Sequence, residues 1–246
     1  RVDTFTGYLC GFEALLRWQH PVMGLISPDR FIPLAEESHL IVDIGNWVAN
    51  STCELIARWV SEGKTIHPIS INVSAKQLKD STFRESLERT MQRHGVSSSQ
   101  IAIELTESAM IGDNKVIQSE LRMLEGMGLK LMIDDFGTGY SSLAHLQKLN
   151  VDVLKIDKSF VQALPTHEQS EPLCQAMIHI GKTLGMVVVA EGVETEEQLM
   201  ALQSMGCDEI QGFFISPPVP VAEAEKLLDH GEFFKPISDS MKLSAA

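Results

Sequence analysis

The chain has 246 residues, of which 44% are hydrophobic and 22% charged, so it can bury a sizeable core and is neither disordered nor collagen-like. Lys and Arg number 20 and Asp and Glu number 33, which gives a net charge of −13 and argues against a protein that coats duplex DNA or an anionic membrane. No apolar run approaches the ~20 residues of a membrane-spanning helix, and we expect no signal peptide.

The four cysteines stand far apart and form no CxxC pair: Cys10, Cys53, Cys174 and Cys207. They indicate reduced, partly buried thiols and a reducing compartment, so we expect a cytoplasmic protein. Membrane attachment of a parent protein through regions outside this chain is compatible with that expectation. The eight histidines include no HExxH motif, so any metal site should be built from oxygen ligands.

Short apolar runs alternate with longer amphipathic stretches along most of the chain. The predicted strands, in chain order, are Leu9–Leu16, Ile69–Val73, Ile101–Leu105, Leu129–Ile133, Val151–Ile156, Met186–Ala190 and Glu209–Ile215. Helical periodicity predicts helices between them, for example over residues 43–60 and over residues 196–205, where Thr195 and Gln198 have the spacing of a capping box. This alternation is typical of a parallel sheet covered by helices.

Seven predicted strands are one fewer than a closed (β/α)₈ barrel requires. The deficit lies at the start of the chain, where residues 1–8 have the composition of a hairpin turn that leads into Leu9. Two interpretations remain open: one strand lies outside this chain, or the barrel is incomplete. In both cases we expect an α/β fold, a TIM-type barrel whose first strand is missing from the chain.

A polar residue stands at or near the end of each predicted strand. In chain order these residues are Glu13, Asn72, Glu104, Asp134 with Asp135, Lys155, Glu191 and Gln211. Polar groups that recur at the carboxyl ends of parallel strands converge at one mouth of a barrel, where barrel enzymes keep their active sites. A single such residue is more often a solvated loop charge or a helix cap, but seven positions in register favour a functional site.

The five carboxylates in this set would repel one another unless their pKa values rise or cations bind between them. Mg²⁺ and Mn²⁺ prefer carboxylate, amide-oxygen and water ligands, and the adjacent Asp134 and Asp135 can serve two ions. Two ions ~3.5–4 Å apart form the clamp that promotes in-line displacement at phosphorus. Lys155 would hold the attacking water or a phosphoryl oxygen. The residues therefore predict two-metal phosphoester hydrolysis.

Two glycines after the paired aspartates allow a different interpretation, a loop that cradles phosphate. A lone GxG is a weak signal, and Asp134 and Asp135 would repel a phosphate in the absence of metal. We therefore interpret Gly137 and Gly139 as hinge points of a mobile loop.

Other polar residues lie close to the strand-end set in the sequence. Glu194 belongs to an acidic group that is typical of a helix start. Glu107 and Asp157 are close enough in the sequence to contact and orient the strand-end residues. Arg17 follows the first predicted strand, and we expect it to contact a phosphate.

Seven sequence blocks match one protein family in order. They are GFEALLRW (11–18), INVSAKQL (71–78), IELTES (103–108), MIDDFGTGYSSL (132–143), LKIDKSFV (154–161), VAEGVET (189–195) and IQGF (210–213). On these blocks the chain resembles the EAL domains, the phosphodiesterases of cyclic di-GMP. The resemblance implies a modified (β/α)₈ barrel whose first strand runs antiparallel to the others. It also implies hydrolysis of cyclic di-GMP to linear pGpG with two Mg²⁺ or Mn²⁺ ions per site, and inhibition by Ca²⁺.

The resemblance further implies a role for each strand-end residue. One ion would be bound by Glu13, Asn72, Glu104 and Asp134. The second would be bound by Asp134 and Asp135, with Glu191 acting directly or through water. Lys155 would position the nucleophilic water, Glu191 is a candidate general base, and Gln211 would orient metal-bound water. The implied catalytic set is thus Lys155, Glu191, Glu13 and Gln211.

Residues outside the strand ends are assigned by the same resemblance. Leu15 and Arg17 would contact the ligand, and Asp157 and Glu194 are further candidate substrate contacts. Glu107 would brace the loop after Asp135. That loop, associated in the family with metal binding and dimer coupling, begins with Phe136, Gly137, Thr138 and Gly139.

The resemblance covers almost the whole chain, so we expect one EAL domain over residues 1–246, with its core at about 7–225 and a peripheral segment at 226–246. The Tyr-Gln-Pro block with which EAL domains begin is absent, which explains the count of seven strands. We therefore expect a fragment of a multidomain protein with linked sensory or GGDEF domains, and we expect a homodimer.

Two other functions remain as alternatives. A non-catalytic receptor would bind cyclic di-GMP without cutting it, but degenerate members of the family typically lose metal ligands or the lysine, and here all are present. An unrelated barrel enzyme of sugar-phosphate metabolism would not require this set of carboxylates.

Overall fold

The structure is a computed structural model of the chain, and it describes residues 1–80, 82–110, 114–139, 146, 150–164 and 170–234. The chain divides into two compact units. The first unit comprises residues 1–11, 134–138 and 152–246, and the second comprises residues 12–133 and 139–151. Residues 235–246 of the expected peripheral segment lie outside the described residues.

Strands and helices alternate along the described parts of the chain. The strands are β1 (Val2–Asp3), β2 (Phe12–Ala14), β3 (Trp18–His20), β4 (Gly24–Ile26), β5 (Ile69–Asn72), β6 (Ile101–Thr106), β7 (Lys130–Phe136), β8 (Val153–Ile156), β9 (Val187–Glu191) and β10 (Glu209–Gln211). The helices are α1 (Pro28–Glu37), α2 (Leu40–Ser61), α3 (Ala75–Lys79), α4 (Thr82–His94), α5 (Glu107–Met110), α6 (Lys115–Gly126), α7 (Lys158–Gln162), α8 (Ser170–Thr183), α9 (Glu196–Ser204) and α10 (Val221–Leu228).

In the second unit the strands of the main sheet lie in the order β2, β5, β6 and β7. β2 is parallel to β5, with Phe12 opposite Ile69, and β5 is parallel to β6, with Asn72 opposite Glu104. β3 and β4 form a separate antiparallel hairpin. Because the parallel strands are in this register, their carboxyl ends lie at the same edge of the sheet.

In the first unit the order is β7, β8, β9, β10 and β1. β7 passes from the second unit to the first between Ile133 and Asp134. β8, β9 and β10 are parallel, and Gln211 lies opposite Glu191. The polar ends of these strands therefore again share one edge.

The apolar strands are buried on both faces, as the near-continuous hydrophobic runs predict. In β6 every residue from Ile101 to Leu105 is buried, and all four residues of β8 are buried. The predicted helices over residues 43–60 and 196–205 are confirmed as α2 and α9, and Thr195 and Gln198 form the expected capping box. None of the helices in the described ranges is long and apolar enough to cross a membrane.

The first strand corrects the expectation that no strand precedes Leu9. Val2 and Asp3 form β1, which runs antiparallel to β10 with Val2 opposite Ile210. Val2 is fully buried, and Gly7, at φ 72°, lies in the turn that follows. Two residues give no periodic pattern, and their partner strand is about two hundred positions away in the sequence. The seven predicted strands themselves are all present, with shifted ends.

The cysteines fit the expectation of reduced thiols. All four are free; Cys53, Cys174 and Cys207 are buried and Cys10 is half-buried. Burial, which disfavours the thiolate, is the largest cause that raises the pKa of each, to about 12 for Cys10 and Cys207 and to about 11 for Cys53 and Cys174.

Candidate active site

The first unit brings three carboxylates and one lysine together at the carboxyl ends of β7, β8 and β9. We call this group, Asp134, Asp135, Lys155 and Glu191, the Lys155 cluster. Lys155 Nζ lies 3.1 Å from Asp134 Oδ1 and 2.7 Å from Glu191 Oε1. β8 places Lys155 between the strands that carry its two partners, because the sheet order is β7, β8, β9.

Lys155 is fully buried, whereas the side chains of Asp134 and Glu191 are 14% and 16% exposed. A buried ammonium group is strongly unfavourable unless nearby charges and hydrogen bonds replace its hydration. The two carboxylates supply that compensation and fix the direction of the ammonium group. Lys155 is therefore a rigid positive charge, with its partners at the boundary between protein and solvent.

Within the Lys155 cluster, Asp135 has an unusual backbone conformation, with φ 56° in the left-handed region. Its amide donates a hydrogen bond to Asp134 Oδ1 at 3.0 Å, and the Thr138 amide and hydroxyl donate to its carbonyl oxygen at 3.3 and 2.9 Å. These bonds stabilise a tight turn that a non-glycine residue adopts at a cost. The turn presents two successive carboxylates at the end of one strand.

Burial raises the pKa of the Asp135 carboxyl above its ordinary value, and the negative charges of Asp134 and Asp157 raise it further. Lys155 and Lys158 act in the opposite direction but do not compensate fully. With three carboxylates and one ammonium group, the cluster carries 1 − 3 = −2 when all four groups are ionised. Such a surplus of negative charge is relieved by a bound cation.

The donor geometry of the cluster fits a divalent ion. Ligand oxygens of Asp134, Asp135 and Glu191 lie within 4.8 Å of one another, and all three residues are half-buried. Carboxylate oxygen is the donor that Mg²⁺ and Mn²⁺ prefer. The expectation of a metal site built from oxygen therefore has a matching group of ligands in this unit.

The second unit carries the remaining expected ligands at the ends of β2, β5 and β6. Asn72 Nδ2 donates a hydrogen bond to Glu13 Oε1 at 2.8 Å, which orients the amide oxygen and the second carboxylate oxygen. Glu104 is fully buried and lies opposite Asn72 in the sheet. Two carboxylates and one amide thus meet at one sheet edge, as the sequence predicted for these three residues.

The loop after Asp135 begins with closely packed residues. Phe136 is buried, and Gly137, at φ 100°, lies so close to Phe160 that an added Cβ atom would be 2.7 Å from its ring. In the second unit Gly139 lies against Glu107, where an added Cβ would be 2.8 Å from Oε1. The buried Glu107 therefore contacts this loop, as expected of a bracing residue. Residues 140–142 of the loop lie outside the described residues.

The candidate substrate contacts differ in their surroundings. Leu15 and Arg17 follow β2 directly and are exposed, and the Arg17 guanidinium donates to the Leu16 carbonyl at 2.9 Å. Asp157 is buried and caps α7, where it accepts hydrogen bonds from the amide and hydroxyl of Ser159. Glu194 is exposed and accepts a 3.4 Å hydrogen bond from Gln162. Asp157 thus has a structural task of its own.

A family profile described as "EAL domain" matches residues 1–218. The chain belongs to the EAL domain family. A solved structure described as "PaMucR Phosphodiesterase, c-di-GMP complex" is 39% identical, with a TM-score of 0.86 and coverage of 91% of this chain and 90% of that chain. The predicted family and the predicted α/β fold class, the modified barrel of EAL domains, are therefore confirmed.

Curated relatives carry the EAL domain as one part of a longer protein. MucR of Pseudomonas aeruginosa, a "Bifunctional diguanylate cyclase/cyclic di-GMP phosphodiesterase", is 41% identical over 222 residues, 90% of this chain and 32% of MucR. "Cyclic di-GMP phosphodiesterase PA2567" of the same organism is 36% identical over 228 residues, 93% of this chain and 39% of that protein. The chain therefore spans about a third of the length of these relatives.

Three residues of this EAL chain make close contacts next to the site in the sequence and were not predicted to have a role there. Lys158 and Gly192 lie against each other beside Glu191, and Gly212 lies against Val193. The sequence did contain a signal, because a glycine directly follows a polar strand-end residue in both Glu191-Gly192 and Gln211-Gly212. A glycine at such a point indicates close approach of another part of the chain.

Proposed function

We propose that this chain is a metal-dependent phosphodiesterase that hydrolyses cyclic di-GMP to linear pGpG. The observation that carries the proposal is the Lys155 cluster, in which a buried ammonium group stands among three carboxylates in a chain of the EAL family. The names of MucR and PA2567 supply the substrate. The cluster by itself supports phosphoester chemistry with divalent ions and does not select a guanine nucleotide.

Two groups of side chains would hold the ions. In the proposal Asp134, Asp135 and Glu191 bind one of them, Glu191 directly or through water. The other is bound by Glu13, Asn72, Glu104 and Asp134. Divalent ions bound there would polarise the phosphodiester and lower the pKa of water, and Mg²⁺ or Mn²⁺ suits these donors.

The protein's own groups would carry the proton and orient the nucleophile. The Lys155 ammonium, held by Asp134 and Glu191, donates a hydrogen bond to the oxygen of a water and aligns that water with phosphorus. Glu191, whose Oε1 is 2.7 Å from Lys155 Nζ, takes the proton of that water. The water oxygen bonds to phosphorus while the bond from phosphorus to the 3′ oxygen breaks, and that oxygen takes a proton from a second water molecule, whose hydroxide is neutralised by the proton that Glu191 releases. The product pGpG keeps a 5′-phosphate.

Other residues would bind and orient. Gln211, opposite Glu191 in the sheet, would orient the water, and Glu107 would brace the loop after Asp135. Arg17 would contact a phosphate and Leu15 would contact the ligand, and both side chains are exposed. Asp157 and Glu194 remain candidate contacts of the nucleotide.

The test is incubation of the purified chain with cyclic di-GMP and Mg²⁺ or Mn²⁺, followed by chromatography of the products. We expect pGpG with either ion. Ca²⁺ should permit nucleotide binding but not hydrolysis, because it takes longer and looser coordination. Full activity in Ca²⁺ alone would contradict the proposed geometry, and tight binding without turnover in Mg²⁺ would favour a receptor.

A pair of glutamate variants sharpens this test. Glu13→Ala removes a proposed ligand and should lower kcat by at least about 100-fold while the fold remains intact. Glu223→Ala is the control, because Glu223 is an exposed residue of α10 that pairs with Lys226. Near-normal turnover of Glu13→Ala would refute the ligand assignment.

The setting of the domain is also proposed. We infer one EAL domain over residues 1–246 that acts as a homodimer in the cytoplasm and is covalently linked to sensory or GGDEF domains in a longer protein. The partial coverage of the relatives supports the linked domains. Light scattering of the purified chain tests the dimer; a single species of about 27 kDa would contradict it.

A further inference from the structure

The residues that follow β9 and β10 touch through their backbones. A Cβ atom added to Gly212 would lie 2.2 Å from the carbonyl oxygen of Val193 and 2.3 Å from its amide nitrogen, whereas real Cβ atoms essentially never come closer than 3.0 Å. The φ of Gly212 is not in the left-handed region. An alanine at this position would therefore force the surrounding backbone to shift, whatever its φ.

Hydrogen bonds fix this contact on both sides. The Val193 amide donates to the Gln211 carbonyl at 3.1 Å, and the Phe214 amide donates to the Val193 carbonyl at 2.9 Å. Val193 is fully buried, so surrounding protein atoms restrict any movement of this residue away from Gly212. Val193 therefore lies between the residues that flank Gly212.

The contact lies two residues from the Lys155 cluster. Val193 follows Glu191 by two positions, and Gln211 directly precedes Gly212 and pairs with Glu191 in the sheet. To accept a methyl group at position 212, the two chain segments would have to separate by 3.0 − 2.2 = 0.8 Å. Catalytic groups need placement within about 0.5 Å, and a misplacement of about 1 Å can cost 100-fold in rate.

A second close contact holds the same turn from the other side. An added Cβ at Gly192 would lie 2.5 Å from Lys158 Cβ and 3.3 Å from Lys158 Cα, and Gly192 has φ 70°. Here the nearest obstacle is a side-chain atom, which a substitution can remove. At Gly212 the obstacles are backbone atoms, which no substitution of Val193 removes.

We infer that Gly212 is a positioning residue of the site: its missing side chain lets the turn after β9 approach β10, and this approach sets where Glu191 stands relative to Lys155. Gly192, packed on Lys158, supports the same turn. The inference deepens the proposed function and rests on it for its kinetic readout only. Its metal-binding readout stands on the geometry of the Lys155 cluster.

The experiment compares Gly212→Ala with Gly126→Ala. Gly126 is exposed at the end of α6, and an added Cβ there meets nothing within 4 Å, so the control adds the same methyl group without a clash. Mn²⁺ affinity is measured by electron paramagnetic resonance, and kcat and KM are measured with cyclic di-GMP. We expect Gly212→Ala to weaken Mn²⁺ binding at least ~10-fold and to lower kcat ~100-fold, with KM changed less. Gly126→Ala should match the unchanged chain.

Equal Mn²⁺ affinity in both variants would overturn the inference, as would a kcat of Gly212→Ala within about threefold of the control. If the unchanged chain binds Mn²⁺ but does not cleave cyclic di-GMP, the proposed function fails. The Mn²⁺ comparison then decides the inference by itself.

Double variants separate positioning from general loss of structure and remain informative if Gly212→Ala does not fold. Gly192→Ala should lower Mn²⁺ affinity through both the clash with Lys158 Cβ and its φ of 70°. Gly192→Ala with Lys158→Gly relieves the clash but not the φ, and Lys158→Gly also removes a positive charge that acts on Asp135. Recovery is therefore counted as the gain of the double variant over Gly192→Ala beyond the gain of Lys158→Gly alone over the unchanged chain, and we expect it to be partial. Gly212→Ala with Val193→Gly should show no recovery, because the backbone clash persists. Absence of recovery in the Lys158 pair, or recovery in the Val193 pair, would contradict the inference.

Discussion

Two buried cationic side chains of the first unit stand in contrasting surroundings. Arg1 lies beside the start of β10, where its guanidinium is 2.8 Å from Glu209, with side chains 5% and 16% exposed. Lys155 lies near the other end of the neighbouring strands and contacts both Asp134 and Glu191. Both cations are buried and both are paired with carboxylates, so burial and pairing alone do not distinguish a site from a structural contact.

The difference is the balance of charge. The ion pair of Arg1 with Glu209 joins one cation to one carboxylate, and the nearby Lys182 and Asp208 form a similar pair at 3.2 Å. In the Lys155 cluster three carboxylates accompany one ammonium group; burial is the largest cause that raises the pKa of Asp135, and the negative charges of Asp134 and Asp157 raise it further. An ion pair with equal positive and negative charge contributes to the stability of the fold. A group with a surplus of negative charge lowers the stability, and it is retained where a bound cation or substrate neutralises that surplus.

Replacing Lys155 should lower activity more than any other substitution compared below. Lys155→Ala should lower kcat by about 1000-fold, because the water loses its fixed positive neighbour, and should change KM much less. Steady-state kinetics with cyclic di-GMP measures both constants. Lys182→Ala, which removes a cation from a balanced pair, should leave kcat within about twofold. A loss of affinity without a loss of turnover in Lys155→Ala would argue against its role at the water.

Neutralising the Asp135 carboxylate of the Lys155 cluster should change activity and stability in opposite directions. Asp135→Asn should lower kcat at least ~100-fold through the lost ligand, yet slightly raise the thermal midpoint of the metal-free chain at pH 7. The sign follows from the raised pKa of Asp135: its ionised form is less favourable in the folded state, so the charge costs stability at neutral pH, and that cost disappears as the carboxyl is protonated at lower pH. The gain is small because the group is partly exposed.

A matched aspartate gives the opposite expectation. Asp208 accepts a hydrogen bond from the Val188 amide at 2.9 Å and pairs with Lys182, so Asp208→Asn should lower the thermal midpoint and leave kcat unchanged. Calorimetry of the metal-free variants at pH 7 measures both effects. A lower midpoint for Asp135→Asn would contradict the view that the Lys155 cluster is electrostatically strained.

The positions of the strand-end residues could be predicted from the sequence, whereas their environments could not. Polar residues at the strand ends were identifiable because each apolar run is short and ends at a charged or amide side chain, as at Lys155 and Glu191. Complete burial of Lys155 between two strands was not predictable, because it depends on β7, β8 and β9 being neighbours in the sheet. The left-handed conformation of Asp135 was likewise hidden, because a single aspartate gives no signal of its φ.

Two features were not predicted from the sequence, the capping role of Asp157 and the short first strand. Asp157 was predicted to contact substrate, and the structure shows in addition that it caps α7 through Ser159, two positions later in the sequence. The strand Val2–Asp3 is too short for periodicity, and its partner is remote in the sequence. By contrast the capping box of α9 was predicted correctly, since it depends only on residues three apart.

The balanced pair should matter for stability and not for turnover. Glu209→Gln leaves the Arg1 guanidinium without its carboxylate in a nearly buried position, and should lower the free energy of unfolding by about 2 kcal/mol. Urea denaturation measures the change, and kcat should stay within about twofold of the unchanged chain. A tenfold loss of kcat would mean that the two ends of β10 are coupled and that the Arg1 pair also serves the site.

The smallest effect concerns a thiol beside that pair. Burial raises the pKa of Cys10 to about 12, and the negative charge of Glu209 adds to the shift while Arg1 opposes it. The thiolate is the reactive form, so native Cys10 should react with a disulfide reagent at pH 8 far more slowly than an exposed thiol, and faster by about tenfold for each unit of pH. Glu209→Gln removes a charge that disfavours the thiolate and should speed the reaction a few-fold. The fully buried Cys174, whose pKa is raised by burial alone, reacts only when the fold opens, so its rate reports the loss of stability. Acceleration of Cys10 beyond that of Cys174 would indicate the local charge effect, whereas equal acceleration of both thiols would indicate loosening of the fold alone.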